Sequence, residues 1–116
     1  MPREFSRSER MSYQIQRELA ALLLRDVSDP RLQNLTISEV RVNRDLAQAT
    51  VYFTGQDNIA KTEETLAALR QASGFFRKNL ANRLRARGVP KLKFVYDHHL
   101  DRANQLVALI DEAAPH

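Results

Sequence analysis

The sequence predicts an α+β fold, and three observations predict it. Helical and strand periodicities alternate along 116 residues in the order α-β-β-α-α-β. Two short alternating segments stand back to back with turn chemistry between them, the pattern of an antiparallel hairpin. A third strand follows a pair of helices and must rejoin that hairpin, because a lone strand cannot satisfy its backbone N–H and C=O groups. Helices then pack on one face of a three-stranded sheet. A chain of this length is expected to make one domain over 1–116, with an ordered core over about 6–110. It buries roughly two-thirds of its unfolded surface, enough for a core without staples.

Residues 6–28 read as the first helix. Ser6 is the expected N-cap with Glu9 three positions on. Met11, Ile15, Leu19, Leu22 and Leu23 recur as one apolar stripe. "SDPR" (28–31) ends it, since Pro30 disfavours helical geometry at Asp29. "LTISEVRV" (35–42) is β-branched and reads as a strand whose alternation slips near Glu39, the mark of a bulge. Asn43 and Asp45 supply the turn. In "AQATVYFT" (47–54), Ala47, Ala49, Val51 and Phe53 share one face and Gln48, Thr50, Tyr52 and Thr54 the other.

"GQDN" (55–58) is a loop before a helix over about 59–72, with Leu66, Leu69 and Ala72 at helical spacing. Ser73-Gly74 interrupts it. A second helix is expected from about 75 to 87, its inner face lined by Phe76, Leu80 and Leu84 and its end capped by Gly88 ahead of Pro90. "KLKFVYD" (91–97) is the third strand, with Leu92, Phe94 and Tyr96 on one face. The remainder, "HHLDRANQLVALIDEAA", can form a closing helix with Asp97 as its cap.

The chain has no cysteine, which excludes disulfides and thiolate-ligated metals and fits a reducing compartment. The opening "MPREFSRSER" lacks the apolar stretch of a signal peptide, and no apolar run approaches the ~20 residues that span a bilayer. A cytoplasmic protein without membrane association is expected. The net charge of +4 is weak evidence alone; placement matters more, because only clustered charge builds a strong local field.

Charge clusters between residues 67 and 93. That stretch holds Arg70, Arg77, Lys78, Arg83, Arg85, Arg87, Lys91 and Lys93 and no Asp or Glu. Like charges repel and add nothing to stability, whereas phosphates would supply the missing negative charge. The plainer reading is a solvated helix face, with Glu63, Glu64 or the terminal acids folding back to pair. In the second helix Lys78, Asn82 and Arg85 fall at i, i+4 and i+7 opposite the core face. The Ser-Gly break costs ~1 kcal/mol relative to Ala. It lets both helix halves lie on one small sheet, with Ser73 as cap of the second half and its first N–H groups exposed.

Strand order, helix pair and basic bend resemble a type II KH domain, although the Gly-x-x-Gly loop of that class is replaced by Ala72-Ser73-Gly74. The same pieces resemble the ribosome-binding factor A family. They are "QIQREL" (14–19), "DPRL" (29–32), "TISEVRVNRDLAQATVYF" (36–53), "ASGFFRKNL" (72–80) and "VPKLKFVYD" (89–97). Their order and spacing carry the resemblance over about residues 6–110; His98-His99 departs from the family pattern. The resemblance implies a KH-like α+β domain that binds the small (30S) ribosomal subunit and its 16S rRNA as a monomer. It further implies a role in late subunit maturation and rRNA processing, and in growth in the cold. It implies no enzymatic activity, no cofactor and no small-molecule substrate.

On that reading Arg77, Lys78, Arg83, Arg85 and Arg87 contact phosphates, supported by Lys91 and Lys93. Asn82 reaches a 2′-hydroxyl, and Ser73 and Gly74 set backbone that approaches RNA. Arg7 and Arg10, near the chain start, either extend this surface or are simply solvated, and solvation is the plainer reading. Phe76 is assigned to the core, and Tyr52 and Tyr96 to packing. Two alternatives compete. A protein-interaction adaptor would use the same basic surface, and a small hydrolase would use His98, His99 and Asp101 as metal ligands. The second is weak, since adjacent His residues diverge on either helix or strand.

Overall fold

The computed structural model describes residues 6–55, 59–84 and 88–97. The elements are α1 (Arg7–Arg25), a 3-10 turn (Pro30–Leu32), β1 (Thr36–Val42), β2 (Gln48–Thr54), α2 (Ile59–Gln71), α3 (Ser73–Arg83) and β3 (Lys91–Tyr96). This is the α-β-β-α-α-β order of a KH-like α+β fold. The sheet is mixed, in the order β1-β2-β3, with β1 antiparallel and β3 parallel to β2. The segment expected to form a closing helix, with His98, His99 and Asp101, lies outside the described residues.

Ser6 is extended, and its Oγ accepts the Glu9 N–H at 3.2 Å, so α1 begins where the cap residue allows. Met11, Ile15, Leu19 and Leu22 are its buried stripe. The helix stops at Arg25, three residues before the expected end. Asp29 must be extended ahead of Pro30, and its carboxylate caps the 3-10 turn by accepting the Arg31 N–H at 2.9 Å.

Strand pairing stacks the core in rows. Val40 faces Val51, which faces Phe94; Ile37 faces Phe53, which faces Tyr96; Val42 faces Ala49, which faces Leu92. All of these are buried or packed against the buried cluster. The expected bulge falls between Ile37 and Glu39 and leaves Ser38 and Glu39 both exposed, which keeps Ile37 and Val40 inward. In the turn, the Asn43 carboxamide oxygen accepts from Ala47 and Gln48 N–H, and the Asp45 carboxylate accepts from Ala47 N–H. Leu46 takes a left-handed φ of 61° to close it. Ala47 is exposed, since β2 begins one residue later.

The α2–α3 junction corrects one expectation. Ser73 is the first residue of α3 rather than its cap; Ala72 holds that place with helical angles and no side-chain bond. Ala72 N–H donates to Ala68 O, and Phe76 N–H donates to Ala72 O, both at 3.0 Å. With the backbone still helical at Ala72, there is no extended residue from which a side chain could cap. A second correction concerns the end of α3. It stops at Arg83, with Leu84 extended and its N–H on Leu80 O, so Leu84 rather than Gly88 caps the helix, and 85–87 lie outside the described residues. Leu84 is nevertheless buried, as expected. The chain must return to β3, where Lys91 pairs with Gln48 and its N–H reaches Ala47 O at 2.9 Å. Phe76 and Leu80 are fully buried, and Phe76 packs on Phe94 at 6.1 Å between ring centres, which seats α3 on the sheet.

Candidate nucleic-acid interface

Four separate parts of the chain converge on one open groove of about 880 Å³. The start of α1 contributes Arg7, Arg10, Met11 and Gln14, and the hairpin turn contributes Asp45, Leu46 and Ala47. From α3 come Arg77 and Arg83, and the approach to β3 adds Gly88, Val89 and Lys91. Five cations therefore line it against one carboxylate. That carboxylate is already engaged, with Asp45 Oδ1 holding the Ala47 N–H at 3.0 Å.

The cations are placed by packing. Burial of Phe76 and Leu80 rolls α3 so that Arg77 and Arg83 flank the buried stripe. Arg77 Nη2 donates to Val89 O at 3.2 Å, which fixes the guanidinium beside the strand entry. Arg83 Nη1 meets Glu18 Oε2 at 3.2 Å, with the two side chains 47% and 31% exposed. An ion pair this wet contributes little, and a phosphate oxygen can replace its carboxylate. Neither Glu63 nor Glu64 pairs with the basic stretch among the described residues; the acid that answers Arg83 comes from α1. Arg77, Lys78, Lys91 and Lys93 have no carboxylate partner among the described residues.

The expected site residues thus divide. Arg77, Arg83 and Lys91 come together in the groove. Lys78 and Asn82 sit one turn apart on the exposed side of α3, and Ser73 and Gly74 at its start. A Cβ on Gly74 would meet nothing within 4 Å, so the backbone there is open to approach. Lys93 projects from the sheet face that no described helix covers, beside Thr50 of β2. Arg85 and Arg87 lie outside the described residues. Arg7 and Arg10, for which solvation is the plainer sequence reading and an extended surface the other, form one wall of the groove. Their signal is the i, i+3, i+7 spacing of Arg7, Arg10 and Gln14, but nothing local shows that this face meets α3.

The aromatic assignments hold, with Phe76 fully buried. Tyr96 packs edge-on to Phe53 at 5.6 Å, and Tyr52 is half-buried beneath the Arg41 guanidinium. Phe75 is 42% exposed beside the bend. Among the described residues no cluster of His, Asp or Glu could hold a metal ion, and no helix is long and apolar enough to cross a membrane.

Comparison with known proteins bears on the same region. The family model described as ribosome-binding factor A matches residues 7–110. The chain is 47% identical to ribosome-binding factor A of Chromohalobacter salexigens over 113 residues, covering 96% of this chain and 86% of that one. It is similar to the crystal structure of ribosome-binding factor A from Thermus thermophilus, with a TM-score of 0.68 at 30% identity over 77% of this chain and 93% of that one. It is also similar to a homology model of the Thermus thermophilus factor fitted into a cryo-EM map of its complex with 30S. That match has a TM-score of 0.62 at 32% identity, covering 74% of this chain and 90% of the other.

Proposed function

Because the chain belongs to the ribosome-binding factor A family, we propose that it binds the 30S ribosomal subunit through 16S rRNA and favours the late folding and processing of that RNA. The observation that carries this reading is the groove, where Arg7, Arg10, Arg77, Arg83 and Lys91 gather around a single occupied carboxylate. A phosphate backbone laid there neutralises charges that otherwise repel one another. Lys78, Asn82 and the open backbone at Ser73-Gly74 give the strand a second flank, with Arg85, Arg87 and Lys93 in support.

Binding alone suffices for the task. An RNA with competing folds shifts toward whichever fold the protein holds. Escape from a wrong RNA helix slows in the cold, so such a binder matters most at low temperature. The protein acts as a single KH-like domain and as a monomer, in the compartment where subunits mature, with no cofactor and no turnover. A-form RNA hides its major-groove base edges, so recognition is led by shape and backbone.

Co-sedimentation with mature and immature small subunits, at two salt concentrations and after nuclease treatment, tests this. Binding to subunits that falls steeply with salt and is lost when the RNA is digested is expected. Binding that survives nuclease and barely responds to salt would make the partner a protein.

A further inference from the structure

Tyr13 stands on the outer side of α1, 64% exposed, away from the buried stripe of Met11, Ile15, Leu19 and Leu22. The Arg17 guanidinium carbon lies over its ring, 5.8 Å from the centroid. Arg17 is exposed and has no carboxylate partner among the described residues. Among the described residues the pair's one polar or ring contact is with each other. Its position does suggest a use. Arg10, Tyr13 and Arg17 fall at i, i+3 and i+7, so they form one ridge along the helix. The ridge starts inside the groove, since Arg10 lines it.

From this continuity we propose that Tyr13 and Arg17 form a stacking platform for an unpaired nucleobase of the RNA strand whose phosphates occupy the groove. The inference rests on the RNA reading of the groove. Every base offers a π-face, and single-stranded RNA is held by stacking on aromatic rings and guanidinium planes next to a cationic track. An exposed phenol beside a guanidinium without a carboxylate partner, one turn from that track, supplies both surfaces. The base stacks without sequence preference, and the groove fixes where along the strand it falls.

The test uses the full chain and two RNA probes, a stem–loop with 2-aminopurine in its loop and a fully paired duplex. On binding the stem–loop, wild-type protein should quench the 2-aminopurine, and Tyr13→Phe should match it. Tyr13→Ala should lose the quench and bind the stem–loop about tenfold more weakly. Its duplex affinity, its salt slope and its melting temperature should be unchanged, because the side chain is exposed. If Tyr13→Ala binds and quenches as wild type does while both probes still bind, the platform is wrong and the groove reading stands. If wild-type protein binds neither probe at low salt, the groove reading itself fails and takes the platform with it. A third outcome would also overturn the platform. It is that Tyr13→Ala and Leu24→Ala, the latter replacing the 85% exposed leucine farther along α1, both weaken subunit binding but not naked RNA. This side of α1 would then dock a protein.

Discussion

At Gly55 the backbone passes so close to its neighbour that a Cβ would sit 2.8 Å from Asn34 O, and φ is +155°. Asn34 is itself left-handed, at φ 62°. Gly55→Ala should therefore cost about 1–3 kcal/mol, read from denaturant or thermal melts, with no effect on groove chemistry. Asp29 shows a different dependence. The Arg31 side chain, and then its backbone N–H, bond the Asp29 carboxylate and hold it below its ordinary range. A depressed carboxyl contributes its stability in full above its unfolded value and loses it as pH falls through the folded value. Wild type should thus be slightly more stable than Asp29→Asn at neutral pH, and the difference should vanish in strong acid. A difference that persists in acid would mean that the carboxylate charge is irrelevant to the turn. The Arg31–Gln71 bond at 3.0 Å ties this same turn to the end of α2, a link that no spacing in the sequence announces.

At the scale of elements, the periodicities that come from one-sided burial are the legible part. The Ser6 cap, the inward rows of β1 and β2, the slip near Glu39 and the stripe Phe76–Leu80–Leu84 all follow from local spacing. What misleads is continuity. Leu84 suits the core face of a longer helix, yet it is buried just as well from an extended cap, so burial cannot mark the end of α3. The Ser-Gly pair likewise suggests a side-chain cap, whereas Ala72 with helical angles both closes the α2 ladder through its N–H and opens that of α3 through its carbonyl. Gly74 therefore sits in helical backbone with open space around it. Gly74→Ala should leave the fold intact and raise stability by about 0.4–1 kcal/mol through the unfolded chain. Combined with lower subunit affinity, that gain would mark the residue as kept for RNA approach. A loss of stability would show instead that the bend requires glycine.

At the scale of the whole molecule, the basic stretch is legible as charge but not as a surface. Its described members split among the end of α2, the groove, the outer side of α3 and the sheet face opposite the helices, because a three-stranded sheet and two helices cannot present one contiguous row. The groove is completed by Arg7 and Arg10, about seventy residues away in sequence from Arg77 and brought there by α1 packing on the sheet. Glu18 reaches Arg83 by the same route. Distant pairings of this kind are set by the fold as a whole, which is why solvation is the better local reading of the early arginines.

The most direct test is equilibrium binding to small subunits across a salt series, comparing wild type with the Arg10→Glu/Arg77→Glu double variant. Wild-type affinity should fall with a log–log slope of roughly −3 to −5, the range for about five neutralised phosphates. The double variant, still folded by circular dichroism, should bind far more weakly and with a shallower slope, reduced by about one for each phosphate it no longer neutralises. Equal affinities and equal slopes for the two proteins would contradict the groove as the RNA-binding surface.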